Sequence, residues 1–537
     1  MPQPTKHYDA VVIGAGFAGM YMLYRLLQLG FTARAYERGN DVGGTWYWNR
    51  YPGARCDTES MTYSYSFSKE LEQEWVWSER YAPQSEILDY ARHVADRFDL
   101  RRDIQFETDV KTAHYDAAGE VWRVTTDRGD EVTARFCISA VGCLASAAAL
   151  PDYPGLNDFK GARYHTGRWP HEPVDLTGKR VGIVGTGSSG VQSTIAIAPV
   201  AAHLYVFQRT PNYSVPAWNG PLEAEEQSRI KAAYTDWREA ARYSQIGIPF
   251  DGNDKSAKLQ SAEEREREYE RRWAEGGFNF VMSYPDLLTD LESNRTAAEF
   301  VERKIREKVK DPALAARLIP DDHPLGTKRL CVDTGYYETF NRDNVTLVDI
   351  RKAPIERITP DGIRTGEADY ALDVIIFATG YDAITGPLLK IDIRGRDGLA
   401  LRDKWREGPR NYLGLATVGF PNLFTITGPG SPSVLSNMLT SIEQHVDWIA
   451  DCLDFIRRHG IKAVEPTPEA EDSWVRSVTE IGNTTLYPHT KSWYTGTNIP
   501  GKPRMFTPYA GGVGTYRRLC DDVVAKGYEG FAMVPAE

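Results

Sequence analysis

Two glycine-rich turns carry the chain's most specific chemistry. Gly14, Gly16 and Gly19 stand in "GAGFAG", and Gly185, Gly187 and Gly190 stand in "GTGSSG". Each is a Gly-x-Gly-x-x-Gly that follows an apolar run and opens a helical pattern. The first glycine permits a tight turn, the second lets backbone approach a pyrophosphate, and the third lets helix and strand pack closely. The free N–H groups and the positive dipole end of the helix then face the phosphates. The residue that closes the next strand differs between the two. Glu37, eighteen residues past Gly19, can accept from both hydroxyls of an adenosine ribose. Arg209, after "LYVFQ", can instead hold a 2′-phosphate in its guanidinium fork. The first turn therefore suits a dinucleotide with free ribose hydroxyls, and the second suits NADP. Two dinucleotides in one chain imply a hydride passed between them, with FAD the simplest acceptor.

The elements that must position these turns follow from the hydrophobic pattern. Ala10 to Ile13 and Arg180 to Val184 are apolar runs of the kind buried in parallel sheets. Ser188 to Ala198 suits a helix and Leu204 to Gln208 a strand. "YALDVIIFATGYD" gives a further apolar strand, and its Ala378-Thr379-Gly380 turn suits a return crossing to the first unit. The fold class is α/β, with two Rossmann-like dinucleotide-binding domains. Pro221 to Pro320, with "SAEEREREYERRWAEGG", reads as a helical insert with solvated charged faces. "EPTPEAED", Glu465 to Asp472, reads as a surface loop before a C-terminal helix.

Composition narrows the partners. At 537 residues the chain exceeds one ordinary core. Its net charge of −11 argues against nucleic acid or anionic membrane as the main partner. The six cysteines form no Cys-x-x-Cys pair, so reduced, buried thiols are expected rather than a dithiol centre, a metal site or a disulfide framework. The opening "MPQPTKHYDA" is polar, unlike a secretory signal, and the uncharged run Ala10 to Tyr24 is too short to span a bilayer. The expectation is a soluble cytoplasmic protein whose sequons at Asn294 and Asn483 are unused.

Between the two turns lies "FKGARYHTGRWPHE", where Phe159, Gly161, His165, Trp169 and Pro170 form Phe-x-Gly-x-x-x-His-x-x-x-Trp-Pro. On these residues the chain resembles the type I Baeyer–Villiger monooxygenases, a group of class B flavoprotein monooxygenases. "GGTWYWNRYPGARCDTES", "FQRTPNY", "GTKRL", "GPGSPSVLSNM" and "SWYTGTNIPGKPR" extend the resemblance over nearly the whole chain. The last two look closest to the phenylacetone and steroid monooxygenases. The resemblance implies a discontinuous FAD domain (residues 1–142 and 386–537), an NADP domain (150–215 and 333–380) and a helical insert (221–320). It also implies that the Trp-Pro segment crosses from the first domain into the second. Pro170 would stiffen the crossing, Trp169 and Phe159 would anchor it, and His165 would serve as a hinge rather than a proton shuttle.

The implied chemistry is reduction of FAD by NADPH, addition of O₂ at the flavin C4a, and attack of the peroxyanion on a ketone to give an ester or lactone. Sulfides are a further expected substrate class. Arg329 matches the catalytic arginine of the family, and Asp57 the carboxylate that orients it; a guanidinium stays charged and stabilises developing anion. Ala18, Gly44, Thr45, Trp46, Tyr63, Val110 and Met438 match positions that touch FAD. Thr186, Gly187, Ser188, Ser189, Gly190 and Gln192 would wrap the NADP pyrophosphate. Thr210 and Lys328 would join Arg209 at the 2′-phosphate, and Arg55 and Cys56 would line the nicotinamide side. Trp493, with Gly496, Pro500 and Gly501, reads as part of a lid. Ser433, Val434 and Leu435 would shape the pocket mouth. Two other readings stay open, an N-hydroxylating or sulfur-oxidising flavin monooxygenase and a non-catalytic dinucleotide-binding redox sensor. The expected partner is a small ketone, whose identity the sequence does not give, and the expected state is a monomer or weak homo-oligomer.

Overall fold

A computed structural model describes residues 6–145 and 150–535. The first five residues of the polar opening lie outside the described residues. Two sheets organise the chain. The strands of the first half are β1 (Lys6–Ile13), β2 (Ala33–Tyr36), β3 (Ile104–Gln105), β4 (Val110–Asp116), β5 (Val121–Thr126), β6 (Glu131–Ser139), β7 (Ala162–His165), β8 (Arg180–Val184), β9 (His203–Gln208) and β10 (Ser214–Pro216). After a helical stretch come β11 (Cys331–Asp333), β12 (Val345–Asp349), the small antiparallel set β13 (Ile355–Thr359), β14 (Gly362–Thr365) and β15 (Asp369–Ala371), and β16 (Val374–Phe377). The strands β17 (Asp392–Arg394), β18 (Leu423–Thr425), β19 (Ile461–Pro466) and β20 (Phe531–Pro535) complete the chain.

The first sheet runs β17-β4-β5-β6-β1-β2-β3, with β18 also on β6. Its β6-β1-β2-β3 portion is parallel, with Val12 facing both Ile138 and Ala35 across the ladder. The second sheet runs β12-β9-β8-β16-β7 and is parallel throughout. In each sheet the chain leaves the glycine-turn strand toward one side and later returns on the other. The reversal points lie between β1 and β6 and between β8 and β16, the places where open α/β sheets bind ligands beyond the carboxyl ends of their strands.

The return strands come from far along the chain. β17 and β18 join the first sheet from beyond residue 390, and β16 completes the second. The stretch between β10 and β11 is helical, with helices Ala224–Ala232, Tyr234–Tyr243, Ala262–Glu275, Leu291–Lys308 and Pro312–Leu318. β10 and β11 pair in parallel, so this stretch leaves and re-enters at one place. Its charged faces do carry ion pairs between helices, as Arg303–Glu266 and Lys304–Glu270 show. Its other faces are core. Tyr269, Trp273 and Phe300 are buried with Val181 and Ile183 of β8 in one apolar cluster.

Two readings of local structure meet different outcomes. All six cysteines are buried and unpaired. The loop expected at Glu465 to Asp472 is instead a strand end and a helix start. β19 runs to Pro466, Thr467 accepts from Ala470 N at 3.2 Å, and Pro468 opens helix Pro468–Asn483. A Thr cap followed by Pro at the first helical position is a start signal, and the acidic residues behind it suit the positive helix end. Among the described residues no helix is long and apolar enough to cross a membrane, and no His/Cys/Asp/Glu group could hold a metal ion.

Candidate active site

The two glycine turns are built alike. A Cβ on Gly14 would lie 2.8 Å from the Ala140 carbonyl oxygen at the end of β6, and one on Gly185 would lie 2.4 Å from that of Ala378 after β16. Both glycines also need φ above +100°. A Cβ on Gly19 or Gly190 would fall about 2 Å from the carbonyl oxygen of the first glycine in its own turn. The middle glycines differ. Gly16 packs against Gly44, whereas a Cβ on Gly187 would meet no protein atom within 4 Å. Helices Phe17–Gln28 and Ser188–Ile197 both begin on a glycine without a side-chain cap and with no acid in the first turn. Their leading N–H groups are thus left for an anion, and both turns fit a dinucleotide pyrophosphate.

The strand-end residues sit beside these turns. Glu37 is 5% exposed and accepts from Ala15 N (2.8 Å) and Gly39 N (2.7 Å). Burial raises its pKa while those two N–H groups oppose the rise. The carboxylate therefore braces the first turn as well as offering lone pairs outward. Val110 opens β4 beyond the segment that bonds Glu37, through Glu37 N to Gln105 O and Thr108 N to Glu37 O, both 2.9 Å. Arg209 is exposed at the end of β9. Lys328 pairs with Asp322 at 3.3 Å, and its pKa is lowered by burial, with Arg209 and Arg351 adding repulsion. Lys328 pairs with Asp322 and Arg351 with Asp321, which leaves the exposed Arg209 as the cation best placed for a 2′-phosphate. Arg351 was not legible as a member of this group.

Arg329 and Asp57 meet although 272 positions separate them. Nε donates to Oδ2 at 2.9 Å and Nη2 to Oδ1 at 2.8 Å, a two-pronged ion pair. Nη1 donates to the Val434 carbonyl at 2.8 Å, and the guanidinium lies 4.7 Å from the centre of the Phe278 ring. Burial pulls the arginine's pKa down, but Asp57 and Tyr494 outweigh it and leave the group above its ordinary value. The cation is permanent. Four separate stretches hold it: the 51–57 loop, the helical stretch through Phe278, the Ser433–Leu435 turn, and Tyr494. Of these only Asp57 was expected to touch it. Val434 was expected as a pocket residue, and its backbone carbonyl gives no signal in sequence.

Asn437 links three of the residues expected to touch FAD: Met438, Tyr63 and, through Tyr63, Trp46. Its Oδ1 caps the helix that begins at Met438 by accepting from Leu439 N (3.1 Å), and its Nδ2 donates to Thr62 O (2.8 Å) beside Tyr63. Tyr63 accepts from Trp46 Nε1 at 3.1 Å. Ala18 lies in the first turn of Phe17–Gln28, and Thr45 is exposed one residue after Gly44.

Two expected NADP residues spend their polar atoms on protein. Gln192 accepts from Tyr51 OH (2.8 Å) and donates to Arg55 O (3.0 Å), tying the second glycine helix to the loop that carries Asp57. Arg55 donates to Glu79 (2.5 Å) and to Tyr81 O (2.6 Å). Cys56 is buried, and its Sγ accepts from Thr58 N. Thr186 donates to Thr210 O at 2.6 Å, Ser188 faces Cys331, and Ser189 Oγ lies 3.2 Å from Thr166 Oγ1.

The Trp-Pro segment forms β7 and the turn after it. Phe159 packs in the apolar cluster behind β8 and β16, and Trp169 lies against Tyr164. Gly161 leaves no room for a side chain, since a Cβ there would sit 2.3 Å from Asp373 O. Pro170 follows Trp169 in the turn. His165 is 5% exposed; its Nδ1 accepts from Gly167 N (3.0 Å), and its Nε2 lies 3.2 Å from Thr379 Oγ1. Burial, aided by Arg168, lowers its pKa to about 4. Downstream, Trp493 packs at a tilt against Tyr494, ring centres 4.3 Å apart, in a cluster with Ile384 and Val434. Asn498 donates to Tyr381 O, and Lys502 to Asp382 and Ala383 O, all at 2.7 to 2.8 Å.

Comparisons with known proteins agree with this geometry. The flavin-binding monooxygenase-like family matches residues 8–216. The chain is 46% identical to a Baeyer-Villiger monooxygenase of Pseudooceanicola batsensis, over 97% of this chain and 95% of that one. It is 43% identical to a cyclohexanone 1,2-monooxygenase of an Acinetobacter species, over 98% and 96%. Among solved structures, an oxidized steroid monooxygenase bound to NADP matches with a TM-score of 0.95 at 52% identity, covering 99% of this chain and 100% of that one.

Proposed function

The chain belongs to the Baeyer–Villiger family of flavin monooxygenases, and from that premise we propose that it converts ketones to esters or lactones with Arg329 as the catalytic cation. FAD and NADPH are its cofactors and O₂ its co-substrate. We assign FAD to the first glycine turn and NADPH to the second. Bound FAD supplies the electron store and the place where O₂ is activated.

The residues divide the remaining work. Asp57 takes two of the guanidinium's five N–H groups and Val434 a third, so the cation is oriented before any substrate arrives. The N–H groups left over can stabilise negative charge as it shifts onto the ketone oxygen. The aromatic surroundings of Phe278, Tyr487 and Tyr494 limit contact with water, which strengthens that interaction. Phe159, Gly161, Trp169 and Pro170 fix the path between the sheets, and neutral His165 links β7 to the turn after β16. Trp493 belongs to a lid over the nicotinamide side, and Ser433, Val434 and Leu435 form the pocket mouth.

The Arg329–Asp57 ion pair carries this reading, because a redox sensor needs no fixed guanidinium there. The test is a panel of linear, aryl, cyclic and steroidal ketones, with sulfides as a second class. NADPH consumption should rise with ketone, and products should gain one oxygen atom by mass. NADPH oxidation that no ketone stimulates, with no oxygenated product across the panel, would remove this function.

A further inference from the structure

A second cleft lies where the helical stretch meets β10 and β11. Its volume is about 240 Å³, and Trp218, Trp273 and Val215 form its apolar wall. Lys308, Glu338 and Asp333 supply its charges.

Three observations point to a ligand. First, Trp218 is 49% exposed, an unusual state for an indole, and holds a φ of +48° that bulky residues avoid. The ring is nonetheless pinned, with Nε1 donating to Trp273 O at 2.7 Å. Gly276 leaves room for it, since a Cβ there would lie 2.9 Å from Trp218 Cδ1. Second, Asp333 is 8% exposed and carries no ion pair among the described residues. Its oxygens accept only from neutral donors, Ser214 Oγ and Tyr336 N (2.6 Å). Burial raises its pKa to about 6, with Lys308 opposing the rise from beyond ion-pair distance, so it is ionised at neutral pH with no direct ion pair. Third, the other charges cancel. Lys308 pairs with Glu338, which leaves the cleft one negative charge at Asp333. The same lysine ammonium lies 5.8 Å from the Trp218 ring centre, so this indole already accepts a cation.

We propose that this cleft binds a small arylalkyl ammonium ion, its aromatic body on Trp218 and its ammonium hydrogen-bonded to Asp333. A primary ammonium has the three donors that a carboxylate with spare lone pairs can receive. The volume suits a ligand somewhat larger than benzene, which fits a cavity of about 150 Å³.

The probe is benzylammonium, titrated by calorimetry into the FAD-loaded enzyme saturated with NADP⁺, beside its uncharged analogue benzyl alcohol. Benzylammonium should bind saturably and benzyl alcohol at least about tenfold more weakly, the difference a desolvated charge pair makes. Trp218→Ala should weaken binding by roughly 2- to 10-fold with ketone turnover unchanged. Asp333→Asn should remove the preference for the charged probe. Because Asp333 also holds a strand end, that variant can fail to fold, and Trp218→Ala with the alcohol comparison then decides. No saturable binding, equal binding by Trp218→Ala, or equal affinity for the alcohol would each overturn the proposal.

Discussion

At the scale of single residues, Arg329 and His165 show how surroundings assign a role. Arg329 is held by a carboxylate, a carbonyl and an aromatic face, so its charge is fixed in place as well as in sign. Losing a fixed donor of this kind typically costs about 100- to 1,000-fold in rate. Arg329→Ala should therefore keep its flavin spectrum yet lose ester formation by that factor, and release hydrogen peroxide if NADPH still reduces it. Arg329→Lys should recover little, because an ammonium cannot reproduce the two-pronged contact with Asp57. Ester yield and peroxide per NADPH consumed check both variants.

His165 behaves in the opposite sense. Its ring accepts from backbone and is kept neutral, with a folded pKa of about 4. An unfolded histidine titrates near 6.5, so between these values the unfolded chain binds more protons. Stability from this site is thus complete above about pH 6.5 and is lost as pH falls toward about 4, by on the order of 3 kcal/mol. His165→Gln should show a shallower fall in thermal midpoint across that window than the parent protein. Its ketone turnover should have no added inflection near pH 6.5, since the native ring is already uncharged there.

At the scale of elements, one glycine motif contains two different constraints. A Cβ on Gly190 would strike the Gly185 carbonyl oxygen at 2.2 Å, inside the strand–helix contact. A Cβ on Gly187 would meet nothing in the protein. Gly190→Ala should therefore lower the thermal midpoint and the folded yield. Gly187→Ala should leave both intact but raise the KM for NADPH by about tenfold or more, because its methyl occupies space suited to the pyrophosphate. Comparing melting curves with NADPH titrations separates the two effects.

The same contrast explains what was legible in the sequence. The glycine turns, β8, β9 and the strand-end Glu37 and Arg209 are local patterns, and local patterns survive reading without a structure. Arg329 and Asp57 were found by family resemblance, since nothing in their spacing announces a contact across 272 positions. The Val434 carbonyl and the ring of Phe278 were not found at all, because a backbone acceptor has no residue type and a phenyl ring reads as core. The protein partners of Gln192 were not legible for a related reason. Its place in the glycine helix suggested a phosphate, while tertiary packing gave its amide to Tyr51 and Arg55. The Thr467-Pro468 helix start had a usable signal that the loop reading passed over.

At the scale of the whole molecule, the turn after β16 is where separate parts meet. Thr379 contacts His165, Tyr381 OH donates to Asn49, and Tyr381 O accepts from Asn498 of the segment we propose as a lid. Lys502 closes the set by reaching both Asp382 and the Ala383 carbonyl. The proposed lid is therefore fastened to Tyr381, Asp382 and Ala383, in the same turn that contacts His165 and Asn49, so we expect its opening to be coupled to the relative position of the sheets. Charge-assisted bonds such as those of Lys502 are worth about 1.5–3 kcal/mol each, and even a discounted loss shifts a closed–open balance by about tenfold. Lys502→Ala should accordingly raise the KM for NADPH by about 3- to 10-fold and speed NADP⁺ release. Its flavin content and thermal midpoint should change little, because the residue packs in neither core. Limited proteolysis gives the direct readout, with cleavage between residues 490 and 506 faster in the variant and slowed by NADP⁺ less than in the parent. Equal cleavage rates in the two proteins, with and without NADP⁺, would show that the lid is held by the Trp493–Tyr494 packing instead.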